Sequence, residues 1–156
     1  MKRDDGSTYY TYSDPAKSAK NAGSSSLQLV NYEDLGIKTG SVAAIVHTHG
    51  QYRHDANNRF TRTDDGSFNN IWAWRSNRYE GLYLVAPNGT LQFWAADAPI
   101  SDTMIRVVST NMPKQASSPA YTPGSEQLYV KKERHWTYYI NPFHWGKPKT
   151  YYEAVD

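Results

Sequence analysis

The chain has 156 residues, enough for one domain with a single hydrophobic core. It contains no cysteine, which excludes disulfides, thiolate metal sites and a cysteine nucleophile. The net charge is +2, and residues 106–156 hold seven Lys and Arg against four Asp and Glu. No apolar stretch approaches the roughly 18 to 20 residues of a membrane span. We therefore expect no membrane span, and the N-terminal residues predict no cleavable signal peptide.

The predicted elements are mostly strands, because the chain is rich in tyrosine and its apolar residues often alternate with polar ones. The turn formed by Pro87, Asn88 and Gly89 predicts a hairpin between two of the strands. A short helix is predicted over residues 68–77, with Asp65 or Ser67 as its cap. The predicted strands span 7–13, 26–32, 41–49, 81–86, 90–95 and 104–110, with one or two more in 128–140. The sequence thus predicts an α+β fold with a central, mostly antiparallel sheet and one or two short helices.

Two polar stretches indicate loops, at residues 13–26 and 111–126. The second contains three prolines and a glycine, and it separates two parts of different composition. We predict a body over residues 1–112 and a basic, aromatic-rich extension over residues 113–156. Tyrosine and tryptophan side chains bury much apolar area when they fold against a sheet. The extension is therefore expected to be packed on the body.

His47 and His49 lie at the end of the apolar run 41–49. In a strand both side chains point to the same face, so their imidazoles can converge on one ion. A catalytic zinc site needs three protein ligands, and a loop beyond the strand can supply the third. The alternative interpretation is a pair of structural or surface histidines. His54 and Asp55 form a second candidate pair, which we expect to be exposed.

The order of several short motifs resembles a known family. His47 to Gly50 (HTHG), followed by Thr61 and Asp64, resembles the HxHP…SxxD motif of JAMM/MPN metallopeptidases. A closer resemblance is to the DUF 4329 domain at the C-termini of Rhs-type polymorphic toxins. It rests on His47 to Gly50, on the segment 60–64 (FTRTD) and on the strand-turn segment 83–89 (YLVAPNG). The resemblance covers residues 8–96.

The resemblance implies a JAMM/MPN-like fold with one divalent ion, which we expect to be zinc. The implied ligands are His47, His49 and Asp64, with Asp65 as an alternative for the third. A metal lowers the pKa of a bound water toward neutrality and so produces a nucleophile. Thr61 is the implied donor to the oxyanion. Glu33, the only glutamate before His47, is the candidate general base.

The implied function is that of a C-terminal toxin domain, delivered into a target cell and neutralised by an acidic immunity protein. Its activity would be metal-dependent hydrolysis of a peptide, isopeptide or amide bond in a protein or cell-wall substrate. Two alternatives stay open. One is a nuclease-type toxin that uses histidines as acid and base and binds nucleic acid with its basic aromatic extension. The other is a non-catalytic binding module on a JAMM-like scaffold.

Overall fold

A computed structural model describes residues 39–64 and 69–155. Four strands form the main sheet: β1 is Ala44–Thr48, β2 is Gly81–Val85, β3 is Leu91–Ala95 and β4 is Ile105–Ser109. The predicted strands at 7–13 and 26–32, together with Glu33 and Asp65, lie outside the described residues.

The main sheet has the order β1-β2-β3-β4. β1 pairs with β2 in parallel, and the other two pairings are antiparallel. Parallel neighbours need a crossover connection. The described part of the segment between β1 and β2 contains the single helical turn α1 (Arg62–Asp64) and the helix α2 (Asn70–Arg75). The predicted α+β class with a mostly antiparallel sheet and short helices is confirmed. Its likeness to JAMM/MPN domains stays a prediction.

One face of the main sheet carries the hydrophobic core. Strand pairing places Ile45, Leu82, Trp94 and Ile105 in one row across the four strands, and all four are buried. The core also contains the buried side chains of Phe60, Trp72 and Leu128. The hairpin predicted at Pro87–Gly89 forms, with the Gly89 nitrogen donating to the Ala86 carbonyl at 3.0 Å. It fixes the register of β2 against β3.

The C-terminal part differs from the prediction for residues 128–140. β5 covers only Tyr129–Glu133, and residues Trp136–Ile140 form a 3-10 turn instead of a second strand. The partner of β5 is β6 (Thr150–Ala154), which the sequence did not predict. A second 3-10 turn, Pro142–His144, follows the first. Leu128, just before β5, is buried in the core of the main sheet, so the chain returns to the body before the hairpin begins.

The helices of the described segments are short, and none is long and apolar enough to cross a lipid bilayer.

Candidate metal centre

β1 brings both histidines of the HTHG segment to one site. Ile45 and His47 face the core, while Val46 and Thr48 alternate to the exposed face. His47 is buried and His49, one residue beyond the strand, is partly buried. Strand alternation therefore places the two imidazoles on the same side, as the sequence predicts.

The His47 ring is oriented by β2. Its Nδ1 lies 3.0 Å from the carbonyl oxygen of Tyr83. A carbonyl oxygen can only accept a hydrogen bond, so Nδ1 carries the hydrogen and donates it. In the neutral ring this leaves the lone pair on Nε2, which is the tautomer that binds a metal.

Asp64 enters the site from α1. Its backbone nitrogen donates to the Thr61 carbonyl at 3.1 Å, which closes the single turn. In return, the backbone nitrogen and the hydroxyl of Thr61 both donate to Asp64 Oδ2, at 2.6 and 2.8 Å. These two bonds fix the carboxylate, as side chains do in the first turn of a helix. The Thr-x-x-Asp spacing therefore has a local structural reason.

The three side chains converge closely. His47 Nε2 lies 3.1 Å from Asp64 Oδ1. His49 Nε2 lies 3.5 Å from the same oxygen and 3.3 Å from Asp64 Oδ2. The two Nε2 atoms are 3.2 Å apart. Ligands bound tetrahedrally at roughly 2.0 to 2.1 Å from zinc lie about 3.3 to 3.4 Å from one another. Their separations therefore fit a tetrahedral ion, and among the described residues these three form the group that could hold a metal.

The electrostatics of the site centre on Asp64. Burial opposes ionisation of its carboxyl, but the hydrogen bonds and the electrostatic attraction of His47 and His49 outweigh burial and hold the pKa of Asp64 well below its usual range. The carboxylate is therefore anionic at neutral pH. A buried anion facing two imidazole nitrogens is stable when a proton or a cation lies between them.

The chain turns sharply after His49. Gly50 has a φ of +67°, a left-handed conformation that glycine adopts readily. The JAMM motif carries proline at this position, and proline cannot adopt that φ. The glycine therefore suits the turn that this chain makes after His49.

Gln115 holds this loop in place from the far side of the sequence. Its Nε2 donates to the Gly50 carbonyl at 2.7 Å, and its Oε1 accepts from the Tyr52 nitrogen at 2.8 Å. Its backbone nitrogen donates to the Pro87 carbonyl at 2.9 Å. Gln115 thus links the loop after the histidines to the β2–β3 turn. On another side of the candidate site lies Phe60, whose ring centroid is 5.9 Å from that of His47.

The structure brings together the three predicted metal ligands and sets the other candidates apart. His54 and Asp55 are exposed, as expected. Thr61 adjoins the site, but its hydroxyl hydrogen is donated to Asp64. Its predicted role as an oxyanion donor and the predicted role of Glu33 stay predictions. The sequence did not point to Gln115 or to the Tyr83 carbonyl.

No family model matches the chain, and no curated protein or solved structure matches it either. The resemblance to DUF 4329 domains therefore rests on the motif residues, and it stays a hypothesis.

Proposed function

We propose that His47, His49 and Asp64 bind a zinc ion and that the protein is a metal-dependent hydrolase of peptide, isopeptide or amide bonds. The observation that carries this proposal is the convergence of Asp64 Oδ1 and the two Nε2 atoms at separations of 3.1 to 3.5 Å. Two imidazoles and a carboxylate are a donor set that suits zinc, whereas magnesium and calcium prefer oxygen ligands alone.

The number of ligands favours catalysis over a purely structural site. Structural zinc sites are closed by four protein ligands, whereas catalytic sites combine three with a position for water or substrate. The described residues contribute three ligands from two separate segments. A zinc ion held by them would act as a Lewis acid and would activate water for attack on a carbonyl.

The surrounding residues have assignable tasks in this site. The Tyr83 carbonyl keeps the His47 ring in its metal-binding tautomer. Thr61 positions Asp64 through its nitrogen and its hydroxyl. An oxyanion role for Thr61 would require its hydroxyl to leave Asp64, so we assign it positioning as its first task. Glu33 is kept as the proposed general base.

The same geometry argues against direct acid–base chemistry by the histidines. A general acid or base must reach the proton that it transfers. Here both Nε2 atoms face each other and Asp64, and the His47 side chain is only 5% exposed. This supports metal binding over the nuclease-type alternative. The order of the motif residues supports the further proposal that the protein is the toxin domain of an Rhs-type system with an acidic immunity protein.

Metal analysis of the purified chain after incubation with zinc and gel filtration tests the proposal. We expect one zinc per chain in the wild type, and loss of zinc in His47→Ala, His49→Ala and Asp64→Asn. His54→Ala is the matched control, because this histidine is exposed and lies outside the cluster. A wild type that takes up no zinc, or a His47→Ala variant that keeps a full equivalent, would overturn the metal centre.

Toxicity is tested separately by expression in the bacterial cytoplasm and periplasm. We expect growth arrest with the wild type and with His54→Ala, and normal growth with His47→Ala. Zinc binding without arrest in either compartment, and without cleavage of protein or cell-wall substrates, would refute the hydrolase and favour the binding module.

A further inference from the structure

The connection between β5 and β6 presents large apolar side chains to solvent. Four of them within ten residues are mostly exposed: Trp136 at 69%, Ile140 at 65%, Phe143 at 89% and Trp145 at 70%. We call residues 134–149 the aromatic tip. Exposed apolar residues are ordinary when scattered singly, but a group of this size indicates an interaction site.

The aromatic tip is held together by its own contacts. The rings of Tyr138 and His144 stack with centroids 3.9 Å apart, and His144 Nδ1 lies 2.8 Å from the Tyr138 carbonyl oxygen. The Trp145 indole donates to the Tyr139 carbonyl at 2.8 Å. The Arg134 guanidinium lies 4.6 Å from the Tyr138 ring centroid. The two 3-10 turns are therefore packed on one another, and they present the exposed side chains from one small, ordered tip.

The hydrogen-bond donors of the tip are also arranged so that it can move from water into an apolar phase. The indole hydrogen of Trp145 is already donated within the tip, and backbone nitrogens of Tyr138, His144 and Trp145 donate to carbonyls at 3.0, 2.9 and 3.1 Å. Polar groups that enter an apolar phase cost free energy unless they are hydrogen-bonded. These donors would keep their partners if the tip entered such a phase.

The charge of the tip is entirely positive. Residues 134–152 contain Arg134, Lys147 and Lys149 and no Asp or Glu. Lys149 makes a long, exposed ion pair with Glu133 at 3.6 Å, which contributes little. Exposed tryptophan and phenylalanine side chains beside lysines are the combination that binds the interface of an anionic membrane.

We infer that the aromatic tip docks on the surface of an anionic lipid bilayer. Two observations favour lipid over nucleic acid. Ile140 is exposed, and an aliphatic side chain offers no ring on which a base can stack. Arg134 is already stacked on the rings of Tyr138 in the tip and Tyr151 in β6 and is partly buried, so it is not displayed for phosphates. The inference does not depend on the metal centre.

Co-sedimentation of the full chain with vesicles tests this inference. The two compositions are phosphatidylcholine alone and phosphatidylcholine with phosphatidylglycerol. We expect the wild type to partition at least about tenfold more strongly to the anionic vesicles, since each basic residue near such a surface contributes about 1 kcal/mol. Lys147→Glu should reduce binding to the anionic vesicles.

The apolar part is tested with the double variant Ile140→Ser/Phe143→Ser, because neither side chain contributes to the hydrogen bonds and ring contacts described within the tip. The double variant should partition to the anionic vesicles at least about tenfold more weakly than the wild type, because it places less apolar area in the lipid. Trp74→Ser is the matched control, since Trp74 lies on α2 and is 92% exposed. It should bind like the wild type.

Several results would overturn the inference. One is a double variant that sediments like the wild type, and another is an equal loss in Trp74→Ser. A wild type that binds neither kind of vesicle would also refute it. Binding of a labelled single-stranded oligonucleotide in place of vesicles would identify the tip as a nucleic-acid surface instead. Circular dichroism of each variant shows that the body is intact.

Discussion

Thr61→Val should weaken zinc binding without removing a metal ligand. Asp64 Oδ2 accepts two hydrogen bonds from Thr61, one from the backbone nitrogen at 2.6 Å and one from the hydroxyl at 2.8 Å. Valine keeps the shape and the backbone donor but removes the hydroxyl. A hydrogen bond to a charged group contributes about 1.5 to 3 kcal/mol, and outer partners of metal ligands typically change affinity about 10- to 100-fold. We expect the zinc affinity of Thr61→Val to fall about tenfold, at the lower end of this range, because the backbone donor remains.

Zinc affinity is measured by competition with a chromophoric chelator. Thr61→Ser restores the hydroxyl and should return to the wild-type affinity, whereas Asp64→Asn should lose most of it. The free energy of unfolding of the metal-free chain is measured beside it, because a purely structural defect would lower stability without a selective effect on affinity. Wild-type zinc affinity in Thr61→Val would refute the positioning role of the hydroxyl.

Three other predictions follow from particular contacts. Gln115→Ala, which removes both hydrogen bonds to the loop after the histidines, should lower the free energy of unfolding by about 1 to 2 kcal/mol in urea titrations, with Lys114→Ala unchanged. Leu128→Ala should lower the free energy of unfolding by about 2 to 5 kcal/mol, because the side chain is buried in the core. A loss as small as that in Val130→Ala, whose side chain is partly exposed, would contradict this. The pKa of Asp64 is depressed in the folded state, so its contribution to the stability of the metal-free chain is complete above the ordinary value of 3.8 and is lost as pH falls below it. Urea midpoints should therefore fall more steeply in acid for the wild type than for Asp64→Asn.

The main sheet could be predicted from local patterns. The strands β1 to β4 all lie within the predicted ranges 41–49, 81–86, 90–95 and 104–110. Apolar alternation and the turn at Pro87–Gly89 depend on neighbours in the chain, so one sequence reveals them. The parallel pairing of β1 with β2 depends on a long-range contact, and no local pattern records it. The same holds for β6, whose short segment becomes a strand by pairing with β5.

The grouping of the three candidate metal ligands could be predicted for a related reason. His47 and His49 share a face because a strand has a period of two, and Asp64 is tied to Thr61 within one helical turn. The groups that orient these side chains and the loop beside them cannot be recognised from a local sequence pattern. The carbonyl of Tyr83 is a backbone group that every residue has, and Gln115 lies in a proline-rich loop far along the chain. Their contributions depend on where the sheet places them.

The metal centre thus joins two locally determined pieces through one nonlocal pairing. β1 supplies the imidazoles, α1 supplies the carboxylate, and the pairing of β1 with β2 provides the carbonyl that fixes the His47 tautomer. Without a cation, a neutral His47 in that tautomer would face the carboxylate of Asp64 with a lone pair at 3.1 Å. Two lone pairs at that distance repel each other in a buried site, so either a proton or a metal ion must separate them. Hydrogens on both Nε2 atoms would give two hydrogen bonds to the carboxylate, whereas a single tetrahedral ion would contact His47 Nε2, His49 Nε2 and Asp64 Oδ1 together. The separations of these three atoms, 3.1, 3.2 and 3.5 Å, suit such an ion, and they are the geometry on which the proposed metal centre rests.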